Sequence, residues 1–424
     1  MNVLDIQARE ILDSRGFPTL EVDLYLADGG SGRASVPSGK STGSREAVEW
    51  RDKDSERYFG RGIQGAIRHI EEMILPSVRN KPFEDQAAFD QHLIQLDGSS
   101  DKHRLGANAI LGCSIAFARA AADAKHVTLV ESLSSAFGAA SLRFPIPMMN
   151  VINGGKHADS GISTQEFMLV PHGCSDVSEA IRMGAQTYQT LRDILELKGY
   201  RVAVGDEGGF APQLRSTVEA LELLTMAIER AGFVPGTHVS LAVDFAANDF
   251  YHNGRYEFEG NSWTSSEMTE YCLEIVRRFP IVSIEDGLAE DDWEGWGAHT
   301  SRLTGSGVQC VGDDIFVTNS EIFRKGIDQG IANAILIKPN QIGTVTETFD
   351  TMHLAAQAHY GTIVSHRSGE TDDSFIADFA LATASGQMKA GSPARGERVA
   401  KYNQLLRLLE KFPHVPLASD IYRR

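Results

Sequence analysis

The chain has 424 residues, 42% of them hydrophobic and 23% charged, with a formal net charge of −17 at pH 7. That length accommodates two domains, or one small domain and a barrel, and the composition is globular rather than disordered. The acidic balance argues against broad nucleic-acid or anionic-membrane binding, whose footprint is basic, so an anionic substrate must meet a local island of cations.

The opening M-N-V-L-D-I-Q-A-R-E carries Asp5, Arg9 and Glu10 where a secretory signal needs an apolar core. Cys113, Cys174, Cys272 and Cys310 are scattered, without C-x-x-C or zinc-like spacing. No apolar run has the length of a membrane span. The expectation is a cytoplasmic protein with reduced thiols and neither nucleic-acid nor membrane partners.

In chain order, T-L-E-V-D-L-Y-L and G-S-G-R-A-S-V alternate apolar and polar residues around Ala27-Asp28-Gly29-Gly30, a hairpin signal. The next stretch, V-P-S-G-K-S-T-G from Val36 to Gly43, has the G-K-S-T ending of a phosphate-binding loop. That motif requires glycine where Ala34 stands, and Pro37 has no N–H to offer, so the P-loop reading is set aside. An Ala-rich helical pattern follows from Leu105, and a Ser/Gly/Ala-rich stretch then leads to F-P-I-P-M-M-N. A boundary is expected between Ser132 and Pro145, giving an N-terminal domain over 1–135 and a C-terminal domain over 136–424.

Beyond it, short apolar runs recur, each ending in polar or charged residues: M-M-N-V-I-N, F-M-L-V-P, V-A-V-G-D-E, V-S-L-A-V-D, I-V-S-I-E-D, V-Q-C-V-G-D-D, A-I-L-I-K-P-N, G-T-I-V-S-H-R and G-Q-M-K-A-G. From Val239 onward their spacing of roughly 20–40 residues suits strand-helix units of an α/β barrel of the (β/α)8 kind, whose active sites lie at strand C-termini. The charged residues fall there. Asp244, Glu285 and Asp313 each close a different predicted strand, and three such acids in one cavity are costly without a cation between them. An all-carboxylate set favours a hard ion, Mg²⁺ before Zn²⁺. Lys338 and Lys389 also end apolar runs; beside positive charge their pKa would fall, making a lysine a usable base near neutral pH. Glu166 and Glu207, read as lying at strand ends, suit proton delivery to a leaving group, and His366-Arg367-Ser368 supplies anion-binding donors. The sum is metal-assisted proton abstraction next to a carboxylate, with an acid opposite and a phosphate clamp.

The motifs D-S-R-G, V-P-S-G-x-S-T-G, L-G-A-N-A-I-L-G, P-M-M-N-V-I-N-G-G-K-H-A-D, Q-E-F-M, G-D-E-G-G-F-A-P, S-I-E-D, V-G-D-D-I-F-V-T-N, I-K-P-N-Q-I-G, S-H-R-S-G-E-T and V-A-K-Y-N-Q-L-L-R together resemble the enolase family, essentially end to end. The resemblance implies an α/β fold in which a small α+β N-terminal domain caps a modified (β/α)8 barrel, assembled as a homodimer or octamer. It implies two Mg²⁺ per site, the first on Asp244, Glu285 and Asp313 and the second involving Ser41. Lys338 resembles the base at C2 of 2-phosphoglycerate, Lys389 the lysine at the substrate carboxylate, and Glu207 with Glu166 the acids that assist departure of the C3 hydroxyl. His157 and Ser41 fall in mobile loops that close over substrate. Arg367 and Ser368, with His366 alongside, resemble the phosphate clamp, and Gln165 stands with the substrate-binding residues.

Several positions depart from the family pattern. Lys40 replaces the alanine of S-G-A-S-T-G, and Phe17 the asparagine of D-S-R-G-N-P-T. Phe245, Asn248 and Asp249 alter D-V-A-A-S-E-F, Ala390 follows Lys389 where threonine is usual, and Gly396 replaces a serine. The resemblance therefore implies a glycolytic enolase forming phosphoenolpyruvate. Its alternative is an enolase-like paralog of phosphonate biosynthesis, like the carboxyphosphonoenolpyruvate synthases of phosphinothricin-type pathways, with Lys40 holding extra negative charge on a nucleotide-activated phosphonoformate. A third reading is a non-catalytic binding or scaffold protein. One associated feature, a C-terminal lysine, is missing from the ending Ile421-Tyr422-Arg423-Arg424.

Overall fold

The structure, a computed structural model, describes residues 1–40 and 42–422. Its N-terminal part is an antiparallel sheet ordered β1 (Val3–Leu12), β2 (Pro18–Leu26) and β3 (Ser31–Ser35), joined by the turn the alternation predicts. Leu20, Val22 and Leu24 of β2 are fully buried, and the helix Ala107–Ala124 packs across β2 and β3. The small residues of that helix permit close approach: the Ala116 and Ala120 carbonyls lie where side chains at Gly32 and Gly30 would stand. A bidentate ion pair from Arg119 to Asp373, at 2.6 and 2.7 Å, ties this layer to the second part of the chain.

That second part closes an eight-stranded barrel from β4 (Ile146–Asn153), β5 (Glu166–Pro171), β6 (Val239–Asp244), β10 (Ile281–Glu285), β11 (Gln309–Gly312), β12 (Ala334–Ile337), β13 (Gly361–Ser365) and β14 (Gly386–Lys389). A small meander of β7 (Tyr251–His252), β8 (Arg255–Phe258) and β9 (Asn261–Trp263) is inserted between β6 and β10. From β10 to β14 and on to β4, neighbours are parallel, and β10 is parallel to β6. β5 runs against both β4 and β6. The link from β4 to β5 contains one short 3-10 turn, Gly155–His157, and a parallel return would need a longer crossover. This reversal is what modifies the barrel. It also brings the start of β5 to the rim where other strands end, with Glu166 opposite Asp244 in register.

One expected strand is absent. V-A-V-G-D-E forms a turn-rich loop whose only ladder contact is the bridge Val204↔Phe210. Gly205 donates its N–H to the Gly209 carbonyl at 2.8 Å, and Gly208 has φ +84°, so the chain doubles back instead of extending. Glu207 is therefore presented by a loop, not by a strand end. Among the described residues no helix is long and apolar enough to cross a membrane.

Candidate active site

Asp244 ends β6 and Glu285 ends β10, adjacent in register, while Asp313 lies two residues past Val311, the partner of Glu285 on β11. The three acids share one rim and are buried, as are Glu166 and Glu207. Lys389, at the end of β14, reaches across the barrel mouth to Glu285 Oε1 and Oε2 at 3.0 and 2.8 Å and Glu166 Oε2 at 3.0 Å. Lys338, just past β12, donates to Asp313 Oδ2. Each lysine is thus held against carboxylates on other strands.

These contacts decide the electrostatics. Burial pushes the Asp244 carboxyl up to about 8, with Glu166 and Asp313 adding to it against the pull of Lys389. Burial also raises Glu285 well above the carboxylate range, and raises Glu166, where Glu207 adds repulsion. Burial opposes the charge of Asp313, yet the touching Lys338 ammonium holds it below its ordinary value. For the lysines, burial again opposes charge but loses: Asp313 raises Lys338, and Glu166 with Glu285 raises Lys389 well above normal. The sequence reading expected lowered lysine pKa values. The direction is reversed because carboxylates, not cations, are each lysine's nearest neighbours.

Glu207 Oε2 accepts from Asn150 Nδ2 at 2.9 Å and lies 3.5 Å from His366 Nε2. Its loop is fixed from behind: Ser392 N–H donates to the Glu207 carbonyl and Tyr188 Oη–H to that of Gly208, both at 2.9 Å. His157 is buried, with Nδ1 3.6 Å from Glu207 Oε1 and 3.8 Å from Glu166 Oε1, and among the described residues neither ring nitrogen has a hydrogen-bond partner. Burial lowers its pKa to about 4, so the ring is neutral. Burial, and after it Arg398, hold His366 well below its ordinary value, its Nδ1 lying 2.5 Å from Arg398 Nη1. Arg367 is buried and forked onto Glu46 at 2.9 and 3.0 Å, with Asn340 Oδ1 at 3.1 Å. Gly39 passes directly over its guanidinium, where a Cβ would lie 2.0 Å from Nη2.

The structure brings His157, Gln165, Glu166, Glu207, Asp244, Asp313, Lys338, His366, Arg367, Ser368 and Lys389 around one cavity. Glu285 joins them through Lys389. Lys40 does not enter: its half-exposed side chain stands at the rim, 3.1 Å from Asp206 Oδ2. Ser41, expected at a second metal ion, and the terminal Arg423 and Arg424 lie outside the described residues. The cavity measures about 20 Å³, room for little more than a water, so a larger substrate requires the covering loops to open.

Sequence reasoning missed Asp286 and Asp314, which group with Asp313 closely enough to hold a metal ion. Both stand in the motifs S-I-E-D and V-G-D-D, directly after Glu285 and Asp313. Both Asp286 oxygens already accept backbone N–H bonds, from Asp313 and Asp314 at 2.9 Å, so Asp286 shapes the turn that presents Asp313. Arg15 of D-S-R-G was also missed; its Nη1 lies 3.5 Å from Ser368 Oγ. The donor set fits a hard divalent ion. It offers buried carboxylates without sulfur, and Gln165 adds a buried side-chain carbonyl, Oε1, that has no hydrogen-bond partner among the described residues.

Comparison with known families agrees with this geometry. The family described as enolase, N-terminal domain, matches residues 3–133, and the one described as enolase, C-terminal TIM barrel domain, matches residues 141–417. A buried acidic cluster on the rim of a closed barrel, and these two matches over nearly the whole chain, place the protein in the enolase family.

Proposed function

We propose that the protein is a Mg²⁺-dependent hydro-lyase that interconverts 2-phosphoglycerate and phosphoenolpyruvate. The observation that carries this reading is the pair of lysines, each in ionic contact with a different carboxylate of the Asp244, Glu285 and Asp313 rim, beside the buried Arg367. When bound by those three acids, Mg²⁺ supplies a Lewis acid for the substrate carboxylate, and a second ion, with Ser41, belongs to the same proposal.

With Asp313 engaged by such an ion, Lys338 would lose the partner that favours its charged form and release its proton to solvent, and the neutral amine accepts the proton from C2. The C2–H electron pair moves into the carboxylate to form an enolate, whose charge Lys389 offsets. On collapse of the enolate the C2–C3 double bond forms, the C3–O bond breaks, and Glu207, assisted by Glu166, protonates the departing hydroxyl to water. Arg367 and Ser368 hold the phosphate end, Gln165 lies with the residues that orient the substrate, and His366 and His157 close around it. The test is solvent exchange. The protein should wash deuterium from heavy water into C2 of 2-phosphoglycerate, and Lys338→Ala should lower that rate by roughly 10²–10⁴-fold with the fold intact. Undiminished exchange in the variant would remove Lys338 from this role.

A second reading is favoured by one observation, the half-exposed Lys40 ammonium at the cavity mouth, on a residue whose backbone N–H donates to Ser368 Oγ. It is the enolase-like paralog that joins an enolpyruvate skeleton to nucleotide-activated phosphonoformate. Turnover of that donor, with none of 2-phosphoglycerate, would select it.

A further inference from the structure

Lys40 Nζ and Asp206 Oδ2 are 3.1 Å apart, although 166 residues separate them in the chain. Lys40 belongs to the loop that passes over Arg367, and Asp206 immediately precedes Glu207. Both partners are anchored through their backbones to buried groups. Lys40 N–H donates to Ser368 Oγ at 2.8 Å, and the Asp206 carbonyl accepts from Arg398 Nη2 at 3.1 Å. Ser38 and Gly369 exchange backbone hydrogen bonds at 2.8 and 2.9 Å, so the N-terminal loop is already moored to the His366–Gly369 side of the cavity. Among the described residues, the Lys40 side chain crosses from that loop to the Glu207 loop. An alanine, the residue of the family pattern here, has no atom to make that contact.

We propose that Lys40 is a positioning residue: its ion pair with Asp206 clasps the segment 36–40 to the Glu207 loop and holds the Glu207 carboxyl facing the cavity. The use made of Glu207 rests on the reading above, whereas the clasp itself does not. The side chains are 45% and 30% exposed, so the pair is weak and screened by salt. It biases the closed arrangement and still permits the opening that a cavity of about 20 Å³ demands.

The test is amide hydrogen exchange of segments 36–40 and 205–209 in the full-length, Mg²⁺-loaded protein without substrate. Lys40→Met should speed exchange in both segments by roughly 1.5- to 5-fold, the range of a surface ion pair. Asp206→Asn should do the same, the double variant should add nothing further, and Lys40→Arg should stay near the parent rate. Raising NaCl to 0.5 M should speed exchange in the parent and not in Lys40→Met. Unchanged exchange in Lys40→Met, or an effect confined to one segment, would overturn the clasp. Because none of this needs turnover, it separates failure of the clasp from failure of the proposed reaction. Where 2-phosphoglycerate is turned over, Lys40→Met should lower kcat more than it raises KM. A rise in KM alone would mean that Lys40 meets substrate directly, which contradicts the clasp.

Discussion

Glu207 and Lys338 stand on opposite sides of the proposed chemistry, and their surroundings separate the two halves of the reaction. Lys338 is held by Asp313, whereas Glu207 faces His157 and His366, both neutral rings, and accepts from Asn150. Glu207→Gln should therefore slow dehydration by roughly 10²–10⁴-fold while C2 proton exchange, carried by Lys338, falls far less. Equal loss of both rates would merge the two roles. The residue types of this site were legible in the sequence, since an acid or lysine closing an apolar run is visible without a structure. Their charge states were not. Whether Lys338 titrates up or down depends on which charge lies nearest, and the Asp313 contact is made by chain folding, not by spacing. Lys40 shows the same limit: the substitution was visible, while its partner Asp206 was not.

At the scale of elements, the Glu207 loop depends on Gly208. Its φ is +84°, and a Cβ there would come within 2.9 Å of the Ala394 carbonyl. Gly208→Ala should cost roughly 1–2 kcal/mol of local strain and appear as a lower kcat with little change in substrate affinity. A parent-like kcat would show that the loop tolerates the shift. The helix Trp293–Gly305 carries a different device behind β10. His299 is fully buried, its Nδ1 is 2.9 Å from Thr269 Oγ1, and burial lowers its pKa to about 3. The unfolded chain binds this proton below about 6.5 and the folded one only near 3, so the stability it protects is complete above pH 6.5. That stability is lost at up to about 1.4 kcal/mol per pH unit as pH falls toward 3. His299→Gln should flatten this part of the stability profile; an unchanged acid slope would assign the loss to other groups. Eight of the apolar runs became the barrel strands because buried strands are continuous in hydrophobicity. V-A-V-G-D-E misled because its apolar residues precede glycines that turn the chain, and the antiparallel course of β5 was hidden because periodicity carries no direction.

Across the whole molecule the net charge is −17, and at the barrel rim Asp244, Glu285 and Asp313 lie together with Glu166, Glu207, Asp286 and Asp314. Lys338, Lys389 and Arg367, which line the same cavity, are fewer than these acids. A chelator should therefore lower the melting temperature and Mg²⁺ restore it, binding at a hundredfold excess over its Kd adding about 2.7 kcal/mol of stability. The same restoration by K⁺ would show charge screening instead of a site. Family and architecture were legible because motifs are spread over the whole chain, whereas the net reaction depends on small differences at the cavity mouth. The most direct measurement is the steady-state rate of phosphoenolpyruvate formation from 2-phosphoglycerate with Mg²⁺. The account predicts turnover in the ordinary enzyme range, about 1–10³ per second. A negligible rate in folded, metal-loaded protein would contradict it.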